Sequence, residues 1–183
     1  DNNIGFLSLK EQLSLQPKAG LQLDAGVSAI LYQSLPGARR PLNEVSQVFA
    51  KSLEKERGLE SAAFLNAEWN VSSALQISGG LRLGFYQFLG PKTVFEYQNE
   101  IPSLLNLIDT TVYGKGKTIA TYSSLEPRLS ARYRFSPAVS VKLGYSRTAQ
   151  FINQIFNSDS PTPTSQYQLS TAYIEPTRSH NVA

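Results

Sequence analysis

Residues 130–146, SARYRFSPAVSVKLGYS, alternate with period two. Arg132, Arg134 and Lys142 fall on one parity; Tyr133, Phe135, Val141, Leu143 and Tyr145 fall on the other. Successive side chains of a strand point to opposite faces, so the pattern predicts a strand pair with one apolar and one polar face. Read along the whole chain, the same alternation predicts seven strands, at about 3–16, 20–34, 58–71, 75–89, 121–136, 139–153 and 172–183. Most are long beside the 5–6 residues or so common in soluble sheets.

The parity split is clean on four of them. The second strand sets Leu21, Leu23, Ala25, Val27, Ala29 and Leu31 against Gln22, Asp24, Gly26, Ser28, Ile30 and Tyr32. The fourth sets Leu75, Ile77, Gly79, Leu81, Leu83 and Phe85 against Gln76, Ser78, Gly80, Arg82, Gly84 and Tyr86. The fifth and sixth set Leu129, Tyr133, Val141 and Leu143 against Arg128, Arg132, Arg134 and Lys142. The longest apolar stripes run roughly 30 Å at about 3.3 Å per residue. With tilt, that length fits an apolar band about 25 Å tall, as on a membrane-spanning barrel. Aromatic residues fall near the stripe ends: Trp69 and Phe135 beside two turns, Phe85 and Tyr145 towards the opposite end. Such aromatics suit a lipid–water boundary. A sandwich with paired inner stripes is the soluble alternative.

The connections sort by length. Those at 16–20, 70–74 and 136–138 are short, and those around 35–57, 90–120 and 154–171 are long. In an up-and-down meander every short turn then lies at one end and every long loop at the other, as in outer-membrane barrels. The polar parity carries Gly26, Gly80, Gly84 and Gly144 among arginines and lysines, which suits a wide wet lumen better than a soluble surface. The predicted fold is therefore all-β, an antiparallel up-and-down meander forming a segment of a large transmembrane β-barrel. Arg82, Arg128, Arg132, Arg134 and Lys142 are expected to face the lumen, and Leu81, Leu83, Tyr133, Val141 and Leu143 the lipid. Trp69, Phe85, Phe135 and Tyr145 are the expected interface aromatics. In the first strand Glu11 shares parity with Leu7, Leu9, Leu13 and Leu15. A carboxylate facing hydrocarbon is penalised, so a bulge at Lys10-Glu11, or a shift of this strand along the axis, is expected to relieve it.

Composition narrows the function. Of 183 residues, 41% are hydrophobic and 17% charged, so the low-hydrophobicity signature of disorder is missing. The net charge of +3, with no basic run longer than Arg39-Arg40, is too weak to argue for nucleic acid, and no such partner is expected. With no cysteine, thiolate sites and disulfides are excluded. No apolar run approaches the 20 residues or so of a membrane helix, whereas a tilted strand crosses with about 9–11. The chain, starting at Asp1 in a strand-like pattern, reads as a piece of something longer.

Chemistry-bearing motifs are sparse. His180 is the lone histidine, and no nucleophile elbow, Walker loop or metal-spaced histidine pair occurs. No enzymatic activity and no cofactor are expected. Gly114–Lys117 reads as a loop turn, since no helix follows to cradle phosphate. Glu60, Glu68 and Glu126 are expected to pair with Arg82, Arg128 and Arg132 across the lumen wall. Basic residues in GARRP and YGKGK are solvated loop charges that can also meet lipopolysaccharide phosphates.

Several phrases in sequence carry a family likeness. GLESAAFLNAEWNVSSALQISGGLRLGFYQFLGP resembles the barrel of TonB-dependent outer-membrane receptors, where an acidic-aromatic strand, a short turn and a strand ending in Gly-Leu-Arg recur. LEPRLSARYRFSPAVSVKLGYSRTAQF is similar to the following hairpin, with Glu126-Pro127-Arg128 and Tyr145-Ser146-Arg147 at its ends. SPTPTS and YIEPTRSHNVA resemble the next extracellular loop and re-entering strand, and LYQSLPGARRP the exit at Pro36-Gly37. The likeness is nearest to receptors with an amino-terminal carboxypeptidase-like regulatory domain. It implies a Gram-negative outer-membrane location and a barrel of about 22 strands with a plugged lumen, of which this chain supplies about seven. The implied partners are outer-membrane lipid, the remaining strands and plug of the same barrel, the TonB energy-coupling complex acting through that plug, and a bulky nutrient or siderophore-like ligand. A small self-contained barrel of about eight strands, structural or adhesive, remains the alternative.

Overall fold

The computed structural model describes residues 3–35, 38, 39, 41, 43, 49, 51, 52, 54–98, 103–155 and 166–183. Its strands are β1 (Asn3–Lys18), β2 (Leu21–Leu35), β3 (Ala38–Arg39), β4 (Lys51–Ser52), β5 (Glu56–Asn70), β6 (Leu75–Leu89), β7 (Lys92–Tyr97), β8 (Leu107–Tyr113), β9 (Thr118–Ser136), β10 (Val139–Gln150), β11 (Ile152–Ile155), β12 (Gln166–Leu169) and β13 (Thr177–Val182). Seven of these make one sheet in the order β1-β2-β5-β6-β9-β10-β13. Every neighbouring pair is antiparallel. The sheet is the expected meander, and its short turns share one end.

Local chemistry explains the turns. Gly20 adopts φ 78°, a left-handed conformation that costs glycine little, and its carbonyl accepts from the Asn70 amide at 2.7 Å. Ser72 Oγ accepts from the amides of Ala74 and Leu75, closing the β5–β6 turn. Ser136 Oγ accepts from the Ala138 amide.

The long connections contain hairpins of their own: β3 pairs β4, β7 pairs β8, and β11 pairs β12. Gly114–Lys117 is a turn, with Gly116 at φ 75° and its amide donating to the Gly90 carbonyl at 3.0 Å. The phrase SPTPTS and the exit Pro36-Gly37 lie outside the described residues, as does Arg40.

Two strand ends differ from expectation. The sixth strand stops at Gln150 and the seventh starts at Thr177. Directly after the first of these ends, Phe151 stacks on Tyr86 of the polar parity at 4.9 Å. Pairing is regained only after Pro176, which has no amide to donate to a ladder.

The register reveals tilt. One row of paired residues runs Leu21, Trp69, Ile77, Ala131, Leu143 across β2, β5, β6, β9 and β10. It begins at the first residue of β2 and arrives at the fifth of β10. With the short turns taken as one level, four strand spacings gain about 13 Å over about 19 Å, a tilt of roughly 35°. Closed barrels need about this inclination.

Glu11 is not relieved by a bulge. β1 pairs β2 without interruption from Asn3 to Leu15, Glu11 lies opposite Val27, and the irregularity falls later, between Leu15 and Lys18. Tilt does not rescue it either. Seven positions from Lys18 put Glu11 about 18 Å from the turn end, inside a band about 25 Å tall.

Candidate functional site

The two faces of the sheet differ in what their side chains do. On the apolar face large side chains are left uncovered: Leu7 is 73% exposed, Leu143 66% and Leu129 59%. Leu81, Leu83, Tyr133 and Val141 share that face and are also exposed. So are the four aromatics. Trp69 sits at the short-turn end under Lys18, whose Nζ is 4.8 Å from the ring. Phe135 packs edge-on to Tyr133 at 4.8 Å. Phe85 stands ten positions above Leu75, and Tyr145 six above Val139, so Tyr145 sits lower. The Tyr145 hydroxyl is hydrogen-bonded to His180 Nδ1 at 2.9 Å.

On the polar face, side chains are joined to one another. Arg82 reaches Glu60 at 2.5 Å and Glu126 at 2.7 Å. Tyr32 Oη donates to Glu60 at 2.9 Å, and Ser124 Oγ donates to Glu126 at 2.7 Å. Four strands thus meet on one guanidinium. Register explains how. Arg82 and Glu126 are directly opposed, while Glu60 lies further up β5. The arginine stem passes between by crossing Ala62 and Gly84, which oppose each other. A Cβ at Gly84 would sit 2.6 Å from Ser124 Oγ and 3.3 Å from both Arg82 Nη1 and Glu126 Oε1. Glycine there is room for the network rather than for water. Ring cover does the same elsewhere, with Phe64 lying over Gly26 and Tyr86 over Gly58.

The pairing expected of Glu68, Arg128 and Arg132 does not form. Glu68 accepts instead from Gln76 Nε2 at 2.6 Å. Among the described residues the ion pairs are Arg82 with Glu60 and Glu126, and Lys92 with Glu56 at 2.9 Å. The reason is register. Arg132 lies between Gln76 and Lys142, and Arg128 between Gly80 and Ser146. Arg134 lies opposite Ser140. Of these cations Arg128 and Lys142 line an open groove of about 390 Å³ with Asn66, Glu68 and Ser78.

At the long-loop end the polar face is roofed. Tyr86, Phe88, Phe151 and Leu169 form a buried cluster. Tyr86 Oη donates to the Ser170 carbonyl at 3.1 Å, and Tyr122 Oη to the Thr171 carbonyl at 2.6 Å. Tyr173 Oη donates to the Phe95 carbonyl at 2.7 Å and accepts from its amide at 2.8 Å, tying the third long connection to the second. Sequence reasoning missed this roof. The signal was aromatic residues, Tyr86 and Phe88, on the polar parity at the top of one strand.

A seven-stranded tilted meander, greasy on one face and hydrogen-bonded on the other, defines a slice of a transmembrane β-barrel. The model of the family described as "TonB dependent receptor-like, beta-barrel" matches residues 6–182, and the chain belongs to that family. The family consists of transporters rather than enzymes and resides in the outer membrane of Gram-negative bacteria. A solved structure, "Copper transporter OprC", is similar over 82% of this chain at 12% identity and a TM-score of 0.48. This chain spans 23% of that protein's length. A search of curated proteins returns no match.

Proposed function

We propose that the chain is a wall segment of a receptor that imports a bulky nutrient or siderophore-like ligand. The observation that supports it is the division of labour between the faces. Large apolar side chains stay exposed on one, while carboxylates and guanidinium are joined on the other. Hydrocarbon removes the cost of the first, and a wet lumen suits the second. In this reading Leu81, Leu83, Tyr133, Val141 and Leu143 meet lipid, with Trp69, Phe85, Phe135 and Tyr145 towards its boundaries. Arg82, Arg128, Arg132, Arg134 and Lys142 face the lumen.

The edges β1 and β13 need neighbours, since lipid does not tolerate unpaired backbone groups. We assign those neighbours to further strands of the same barrel, and the lumen to a plug through which the TonB complex delivers energy. The resemblance of the strand-end phrases supports the subfamily with a carboxypeptidase-like regulatory domain. Ligand capture falls to the long connections, of which β7–β8 is the most completely formed. The test uses cells whose growth on such a nutrient requires the receptor. Excision of 92–113, joining Pro91 to Gly114, should abolish uptake while the barrel keeps its heat-modifiable gel mobility. Undiminished uptake with that hairpin gone would refute capture by this loop.

A further inference from the structure

On β10 the apolar face reads Val139, Val141, Leu143, Tyr145 and then changes to Arg147. On β13 it changes at the same height. Val182 opposes Tyr145, His180 opposes Arg147, and Arg178 opposes Ala149. The face is fixed by contacts: His180 bonds Tyr145, while the alternate pair Thr148 and Ser179 bond each other at 2.8 Å. Three basic side chains thus crowd one spot. Opposed partners lie about 5 Å apart at Cβ and diagonal ones about 7–8 Å.

Among the described residues the ion pairs are those of Arg82 and Lys92, and none reaches these three side chains. The carboxylates Asp24, Glu56, Glu60, Glu68 and Glu126 are all on the polar parity. Among the described wall strands the apolar face holds one acid, Glu11, and it is on β1 at the other side of the sheet. Height matters as well. Arg147 stands eight positions beyond Val139, about 22 Å above the turn end, and Ala149, which Arg178 opposes, about 27 Å. That is the upper margin of an apolar band, within reach of a snorkelling arginine.

We infer that Arg147, Arg178 and His180 form a binding site for a phosphate group of an outer-leaflet glycolipid of the lipid A type. The inference rests on the reading of the apolar face as lipid-facing. Arginine forks match phosphate oxygens and form charge-assisted bonds. The Tyr145 hydroxyl holds the imidazole by Nδ1, leaving Nε2 as its second polar atom. The acyl chains of such a lipid continue down over Tyr145, Leu143 and Val141, which are exposed. A free anion would gain the charges without that apolar surface.

The test is native mass spectrometry of the whole receptor in detergent, with bis-phosphorylated lipid A, its dephosphorylated form, and inorganic phosphate. One lipid A should be retained per receptor, and Arg147→Gln with Arg178→Gln should weaken retention about tenfold or more. Dephosphorylated lipid A should bind the unaltered receptor as weakly, and inorganic phosphate at equal concentration should not displace lipid A. The pair Arg147→Lys and Arg178→Lys, with charge kept but the forks lost, should retain clearly more lipid A than the glutamine pair and so report an intact barrel. Equal retention by the glutamine variant or by dephosphorylated lipid A would overturn the site, as would displacement by inorganic phosphate. A Leu143→Cys probe separates the two levels. Quenching of its label from within the membrane, without the lipid A effect, removes only the phosphate site. A label that meets only water removes the reading beneath it.

Discussion

At the residue scale, the most consequential group is Arg82. Its side chain keeps 22% of its exposure, while Glu126 keeps 3% and Glu60 12%. Replacing it by methionine leaves two carboxylates with no cation between them. The expected loss is about 2–3 kcal/mol, below the roughly 3–5 kcal/mol of a fully buried pair, because the site is partly wet. Urea titration of the folded receptor in lipid vesicles measures it, and Arg82→Met with Glu126→Gln should recover part of the loss. The glycines give a sharper contrast. Gly58→Ala places a Cβ 2.5 Å from the Tyr86 hydroxyl and 2.7–2.8 Å from its ring, and overpacking of this kind costs about 1–3 kcal/mol. Gly144→Ala meets nothing nearer than 3.7 Å and should be close to neutral in the same titration. Glu11 is the converse case. On the apolar face opposite Val27, it should be improved upon by leucine, by about 1–2 kcal/mol. A destabilised Glu11→Leu variant would mean that the carboxylate has a partner beyond this sheet.

At the element scale, the β11–β12 hairpin is held to the wall by a small number of contacts. They are the Phe151 stack on Tyr86, the buried Leu169, and tyrosine hydroxyls bonded to the Ser170 and Thr171 carbonyls. Phe151→Ala should release it. Amide hydrogen exchange in 166–171 should accelerate at least tenfold while exchange in β6 and β9 stays slow. Equal acceleration in both would show that the hairpin and the wall open together.

The wall strands were legible in the sequence because a strand half in lipid and half in water must alternate, and a one-residue slip would invert both faces. Their order followed from the short turns. What stayed hidden was set by register. Whether Arg132 meets Glu68 or Lys142 depends on which residues oppose it, and parity alone does not say. The roof was hidden for a related reason. Tyr86 and Phe88 sit on the polar parity, but their partners Phe151 and Leu169 come from a segment without alternation.

At the scale of the whole molecule, the tilt of roughly 35° follows from one requirement, closure of a sheet around a lumen. The same requirement sets the chemistry. The polar face gathers five carboxylates and the cations around Arg82, Arg132 and Lys142, while the apolar face ends in Arg147 and Arg178. The account stands or falls on which face is which. Single cysteines replacing Val141 and Lys142 in the intact receptor, each carrying a spin label, decide it in reconstituted membranes. The label at 141 should relax with lipid-dissolved oxygen, and the label at 142 with a water-soluble nickel chelate. The opposite pattern, with 142 in hydrocarbon and 141 in water, would contradict the account.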